Sequence, residues 1–470
     1  MKFTKLLTFC CMLMFWANPM FAEIRTAQKQ LNRMGYQAGL ADGVWGNKTE
    51  NAVKRFLSDN NQKWDGTFDH NEIKLIEKIF LTNGFKNTRK NEAFLLPQDV
   101  YESFQKLTQS EKSRHCGGIG RNALTELDEL SASQPPRKIE GYNSRMDNMA
   151  NVPGAEQTEL FFLRLSEAST SAIFANETEA GNKALAALEY WAKNNALTET
   201  KQCYSSKGLS KECEKAWTQK DGQDLAPKMD SSAVQKHINH ASYAYFSGLN
   251  NINSNDNKHE VIQSWLKSFE PKNKKPKEPY FGLDFGWYWP AIFKNREKTG
   301  SCFSDDCPKN LIKKLIKSLN KFVLKDGSLK DRTTRGDRAL HYHNEALFEV
   351  IITLELARKY GVAIPKSLER KVEKAGDIFV NGFFDHSYMD KWAKKAYKAK
   401  YTPGKQRFKS DLNKLNYGTS WYFIFAYRYP ESNLAQKLNS LFPIGTRVAK
   451  RDSAIGVGLG CVYRALTQTN

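Results

Sequence analysis

The chain has 470 residues and carries 71 Lys and Arg against 51 Asp and Glu, a net charge of +20. That length exceeds what one compact core serves, so two or three domains are expected. So positive a field favours a polyanionic partner, although lysine-rich stretches such as the 269–279 region also read as a solvated loop.

The first element is "MKFTKLLTFCCMLMFWANPMFA", residues 1–22: two lysines, an apolar run and a small residue at Ala22. This is the layout of a secretory signal peptide cut before Glu23, which implies a periplasmic or secreted protein, free or wall-associated. Loss of Lys2 and Lys5 leaves 20 − 2 = +18. No later run reaches the roughly 18 apolar residues a membrane span needs, so none is expected after cleavage. Six cysteines remain, and an even count in an exported chain suggests disulfides: Cys203 with Cys213, Cys302 with Cys307, and Cys116 with Cys461 as a long-range tie. Neither local pair has zinc-knuckle spacing, so no metal is expected. In an exported protein, nucleic acid is not an expected partner and an acidic polysaccharide is a natural one.

Residues 23–80 read as a small module. Leu31 and Met34 share one helical face, and Ala52, Val53 and Phe56 share another. Between them "GLADGVWGNKT" makes a glycine-rich turn, with Trp45 as the plug of a miniature core. The residues Gln28, Leu31, Gly35, Tyr36, Asp42, Gly43, Gly46, Thr49, Ala52, Val53 and Phe56, followed by "DGTFDHNEIKLI" at 65–76, resemble the peptidoglycan-binding module of three short helices. The resemblance implies attachment to peptidoglycan or cell-wall glycan, with Asp42, Trp45 and Thr49 as candidate wall-binding residues, although Asp42 and Gly43 also read as shaping the loop.

Residues 81–136 read as a linker and helical connection, with "HCGGIG" and "SASQPP" as loop signals. From 137 to 441 most of the readable periodicity is near 3.6, in stretches such as "TELFFLRLSEASTSAIFA", "KNLIKKLIKSLNKFVL" and "NEALFEVIITLELARKYGV". The fold class expected is mainly α: a three-helix module, then a toroid of helical hairpins. Residues 442–470 form a C-terminal extension, a short strand pair or a packed tail.

Three stretches in that domain resemble the alginate lyase family, whose catalytic domain is an (α/α) toroid. They are "RKIEG" at 137–141, "ALAALEYWAKNNAL" at 184–197 and "RGDRALHYHNEAL" at 335–347. The resemblance implies that Lys138 contacts substrate, that Tyr342 is the catalytic acid, and that Arg335 holds the substrate or the tyrosine. On a continuous helix Arg335, Arg338 and Tyr342 share one face, so Arg338 is placed to activate the phenol. No cofactor is required if side chains neutralise the uronate carboxylate.

The family also carries an Asn-Asn-His-Ser-Tyr-Trp segment, expected roughly 45–50 residues before Arg335. That window reads "YFGLDFGWYWPAIF", with Gly286 where the histidine would stand. Trp287, Tyr288 and Trp289 are then candidates for a sugar-stacking wall, and His240, His341 or His343 for the missing imidazole; otherwise Tyr342 makes both proton transfers, or elimination is lost. His341 and His343 flank the tyrosine on opposite faces and also read as packing residues. The expected function is an exported lyase that cleaves an acidic, alginate-like polysaccharide by β-elimination and is tethered to the wall by its N-terminal module. The alternative is a non-catalytic wall-associated protein that binds acidic glycan. Hydrolysis would need two carboxylates across a groove, for which only Asp284 and Glu345 present themselves.

Overall fold

The computed structural model describes residues 19–34, 36, 38–39, 41–82, 94–139, 153–200, 204–205, 208–209, 226–252, 257–270, 286–292, 308–395, 401–408, 420–442, 451–452 and 455–468. Most of the leader, Glu140, Gly141, Asp284 and the four cysteines expected to pair locally lie outside them. The chain divides into two units, residues 1–90 with 291–308 and residues 91–290 with 309–470.

In the smaller unit, α1 (Pro19–Arg33), α2 (Asn47–Asp59) and α3 (His70–Thr82) enclose a core of Ala27, Leu31, Ala52, Val53, Phe56 and Ile76. The turn before α2 is organised by one buried amide. Gln28 accepts from the Gly43 N–H at 2.9 Å and donates to the Val44 carbonyl at 2.9 Å. Gly43 stands at φ +86°, the left-handed region that glycine occupies without cost. Asp42 accepts from the Val44 N–H at 2.9 Å, and that bond holds its carboxyl below the usual range. Thr49 is 2% exposed; it accepts from Gln28 at 2.9 Å and donates to the Ala38 carbonyl at 3.0 Å. The expectation that Thr49 touches the wall is therefore corrected, because its hydroxyl is consumed inside the fold. Trp45 does plug the turn, stacked on Phe68 at 4.5 Å and on Trp64 at 6.2 Å.

The larger unit is helical, and its described strands form two short antiparallel ladders. Helices α4 (Gln98–Gln105), α5 (Gln109–Cys116) and α6 (Arg121–Ala132) lead into the hairpin of α7 (Ala155–Ala175) and α8 (Thr178–Lys193). Thr108 and Glu111 form a reciprocal capping box that starts α5. Asn176, in the left-handed region at φ 55°, ends α7 and turns the chain into α8. Strands β1 (Tyr204–Ser205) and β2 (Gly208–Leu209) pair locally. Helix α9 (Ala226–Ser247) packs on α7, and α10 (Lys258–Ser268) packs on α8.

The second half is built around α12 (Ala339–Lys359), which is apolar on nearly every side and is contacted by α11 (Lys309–Phe322), α13 (Lys366–Phe384) and α15 (Ser420–Arg428). A helix with no polar stripe has to be enclosed. The short α14 (Asp390–Ala393) and α16 (Asn433–Leu441) complete this side. The tail is both things the sequence suggests. Strands β3 (Arg451–Asp452) and β4 (Gly456–Val457) pair and lie on α7 and α9, and α17 (Gly460–Gln468) packs on α15 and α5. Cys461 of α17 is bonded to Cys116 of α5 across 345 residues of chain, the long-range tie expected. Closing so long a loop removes much freedom from the unfolded chain. Among the described residues no helix is long and apolar enough to cross a membrane.

Candidate functional site

Residues 329–342 build the site. The chain leaves α11 through a tight turn, with Val323 bridged to Leu329, and enters a 3-10 turn at Gly336–Arg338 before α12 begins at Ala339. Arg335 and Arg338 therefore precede the α-helix, which corrects the expectation of one shared helical face with Tyr342. The cation on the phenol is Arg335 instead. Its guanidinium carbon lies 4.2 Å from the centre of the Tyr342 ring, and Arg332 stands at 5.7 Å. This is cation–π distance. The Arg335 Nε also donates to the Asp331 carbonyl at 2.8 Å, so the guanidinium is held in place.

The first turn of α12 faces three environments. Tyr342 is half-buried and His341 exposed, with their rings 5.2 Å apart and the His341 Nε2 3.9 Å from Glu345. Asn344 faces inward and accepts from the Trp421 indole at 2.9 Å. His343 is fully enclosed. Its Nε2 lies 2.8 Å from the Ala375 carbonyl, which only accepts, so that nitrogen carries the proton and Nδ1 accepts from the Thr333 hydroxyl at 2.7 Å. His343 is thus corrected from a substrate contact to the pin that fixes the 329–333 loop against α12 and α13.

Burial drives the His343 pKa from 6.5 to about 4, against the raising influence of the Ala375 carbonyl and Asp326. The folded state keeps this ring neutral, while the unfolded chain protonates it below pH 6.5. Its contribution is complete above that pH and disappears as the pH falls to about 4, a loss of about 3 kcal/mol. Urea midpoints at neutral and acid pH, measured beside His343→Gln, check this. The variant should be weaker at pH 7 yet fall less on acidification, and parallel pH curves would clear His343 as the cause.

A second loop, 401–408, covers the start of α12. Gln406 accepts from the Leu340 N–H at 3.1 Å and donates to the Gly336 carbonyl at 3.1 Å, satisfying one of the orphan donors of a helix start. Arg407 pairs with Asp337, and Phe408 lies 6.4 Å from His341.

The aromatic wall is mostly a core. Tyr288 is 0% exposed and donates to the Phe94 carbonyl at 2.8 Å; Trp289 is 1% exposed and donates to Asn239 at 3.3 Å. Both are corrected from sugar platforms to packing residues, and Trp287, half-buried, is the remaining aromatic of the three. Gly286 stands at φ +67°, and a Cβ on it would fall 2.2 Å from the Asn239 Oδ1. No histidine fits there.

Asn239 and His240 are adjacent on α9. His240 is 8% exposed and lies under the β3–β4 hairpin, where a Cβ on Gly456 would come within 2.8 Å of its own Cβ. The neighbouring His237 stacks on Phe162 and has its Nε2 3.2 Å from Glu159. Lys138 is exposed, on a stretch whose neighbours bond the turns that follow α8: Arg137 pairs with Glu199 at 3.0 Å, and the Ile139 N–H donates to Thr200 at 3.1 Å.

The structure thus brings Arg335, His341 and Tyr342 together, with Arg338 at the helix start, while Lys138, Trp287 and His240 stand on other elements. A cavity of ≈ 170 Å³ between α4 and the ends of α7 and α9 is lined by Phe94, Phe104, Phe174 and Ser247 among others, and by none of the sequence-predicted residues. Among the described residues no cluster of His, Cys, Asp and Glu is arranged to hold a metal.

No curated protein matches the chain. Among solved structures it is similar to alginate lyase A1-III from Sphingomonas species A1, with 13% identity over 79% of this chain and 96% of that one, at a TM-score of 0.45. Residues 22–76 match the family described as "Putative peptidoglycan binding domain", so the three-helix module at the N-terminus is of the peptidoglycan-binding type.

Proposed function

We propose that the protein is an exported polysaccharide lyase that cleaves a uronate-containing glycan by β-elimination and is held at the cell wall by its N-terminal module. One observation carries the lyase assignment: Arg335 lies 4.2 Å from the ring centre of a half-buried phenol, Tyr342, in the first turn of a helix whose middle is enclosed. The net charge of +20 suits an acidic substrate, and the match of residues 22–76 supports attachment to wall glycan.

In the reaction, a base removes the C5 proton, the C4–O4 bond breaks as the C4=C5 double bond forms, and an acid protonates the departing O4. Tyr342 supplies the proton to O4, with Arg335 orienting the ring, and Lys138, Arg338 and Trp287 contact the chain. The base is drawn from the two histidines left once His343 is locked in the core: His240, 8% exposed on α9, or His341, beside the Tyr342 ring. His341 remains on the solvent side with Glu345. Alanine in place of the base should lower turnover by about 10²-fold or more, and in place of the other histidine by less than tenfold, so His240→Ala and His341→Ala are compared; small losses in both would leave both proton transfers to Tyr342.

Incubation of the mature protein with polymannuronate, polyguluronate, polyglucuronate and purified sacculi tests the whole assignment. Ultraviolet absorbance from an unsaturated uronate end is the expected result. New reducing ends without that absorbance mean hydrolysis instead. Binding without either product supports a second reading, a non-catalytic glycan-binding protein, which is favoured by the steric closure at Gly286.

A further inference from the structure

Helix α11 (Lys309–Phe322) reads KNLIKKLIKSLNKF and contains no Asp or Glu. Its apolar side, Ile312, Leu315, Ile316, Leu319 and Phe322, is buried, and it packs on α12. Its outer side is a row of exposed lysines, with Lys313, Lys317 and Lys321 one above another and Lys314 beside them. Like charges at that spacing repel, and lysines in the first turns also oppose the helix dipole. Other helices of this protein relieve the same strain with acidic neighbours: Lys54 with Glu50, Lys183 with Glu179, Lys193 with Glu189. On α11 the charge is instead increased, because Lys371 of α13 reaches across to the Asn320 carbonyl at 2.8 Å. Among the described residues no acidic side chain pairs with Lys313, Lys314, Lys317 or Lys321, and a local rule broken in that way points to a functional or strained site.

We propose that the lysine row of α11 is a binding track for a linear acidic polysaccharide, outside the Tyr342 site. Successive lysines rise about 6 Å along the axis, a regular array suited to a chain with one carboxylate per sugar. The apolar face is already covered, so α11 has nothing to insert into a bilayer. Beyond its C-terminal end the chain runs through the Val323–Leu329 turn, which carries both Lys325 and Asp326, to Arg332 and Arg335 at the Tyr342 ring. The track rests on the proposed function only for the acidity of the glycan, and no elimination step enters it.

The test uses the full mature chain with Lys313→Gln, Lys317→Gln and Lys321→Gln combined, and titrates long polymannuronate and its trimer at two salt concentrations. Binding of the long polymer should weaken by about tenfold or more and its salt dependence should flatten. Turnover of the trimer and the melting temperature should not fall, since glutamine is an adequate helix former and repulsion has been removed. The matching triple Lys→Arg variant should bind as the parent does. Unchanged polymer affinity and salt dependence in the glutamine variant would overturn the track, as would equal loss in the arginine variant. Loss of binding to anionic phospholipid vesicles with polymer binding intact would overturn it in favour of a membrane surface. If the protein eliminates no uronate yet loses polymer affinity as described, the lyase assignment fails and the track stands.

Discussion

Tyr342→Phe is expected to lower the rate of elimination by about 10²–10⁴-fold and to leave KM within a few-fold of its value, the range for removing a positioned proton donor. The substitution is clean for a structural reason. The ring keeps its place under Arg335 at 4.2 Å and beside His341 at 5.2 Å, and only a hydroxyl at a half-exposed position is lost. Folding should therefore be unaffected, and initial rates of ultraviolet absorbance on polymannuronate measure chemistry alone. Arg335→Lys provides the companion measurement, because an ammonium lacks the planar face that stacks on the phenol. If Tyr342→Phe turns over at the parental rate, the phenol hydroxyl carries no proton and the lyase mechanism offered here is wrong.

The largest stability effect is expected at Glu355→Ala, about 3 kcal/mol, because it removes the buried acceptor shared by Arg428, Arg358 and Tyr463 and leaves Arg428 with Asp99 alone. Glu355 is 1% exposed and sits where four helices meet. Its Oε2 accepts from Arg428 of α15 at 2.8 Å and from the Tyr463 hydroxyl of α17 at 2.7 Å, and its Oε1 accepts from Arg358 at 2.8 Å. Arg428 reaches on to Asp99 of α4 at 2.6 Å. Burial alone would lower the Arg428 pKa, but the bonds to Glu355 and Asp99 more than reverse it; burial first and Glu355 second push the Tyr463 phenol well up. Removing the carboxylate leaves Arg428, with 14% of its side chain exposed, facing an empty acceptor position. Thermal unfolding should move down by about 5–10 °C, and Tyr463→Phe, which deletes one hydrogen bond, by much less. A shift at Glu355→Ala no larger than at Tyr463→Phe would mean that the cluster is solvated and contributes little.

Much of the fold was legible because periodicity reports burial. The run "EALFEVIITLELA" is apolar on too many sides to be a surface helix, and it is the enclosed centre of α12. The alternation of lysines and leucines in "KNLIKKLIKSL" likewise announces a one-sided helix. The "DGVWG" turn was readable because glycine at φ +86° and an Asp accepting from the following N–H are local chemistry. Local rules also misled. A helix extended back to Arg335 placed two arginines on Tyr342's face, whereas a 3-10 turn at Gly336–Arg338 intervenes and Arg335 reaches the ring from above. Likewise the aromatic run at 287–289 looked like a sugar wall, and Tyr288 and Trp289 are sealed against Phe94 and Asn239.

The sequence by itself determined the helical class, the N-terminal module, the tie between Cys116 and Cys461 as a candidate pair, and the cationic, phenolic start of α12. All of these follow from residue type and spacing along the chain. Only the tertiary structure decided which of three consecutive residues faces solvent, leaving His341 and Tyr342 outside while His343 bonds Thr333 and Ala375. It also decided that Gly286 admits no side chain and that Arg335 is the cation on the phenol. The reason is physical: helical spacing sets the direction of a side chain relative to its neighbours, but what stands opposite it comes from helices tens to hundreds of residues away.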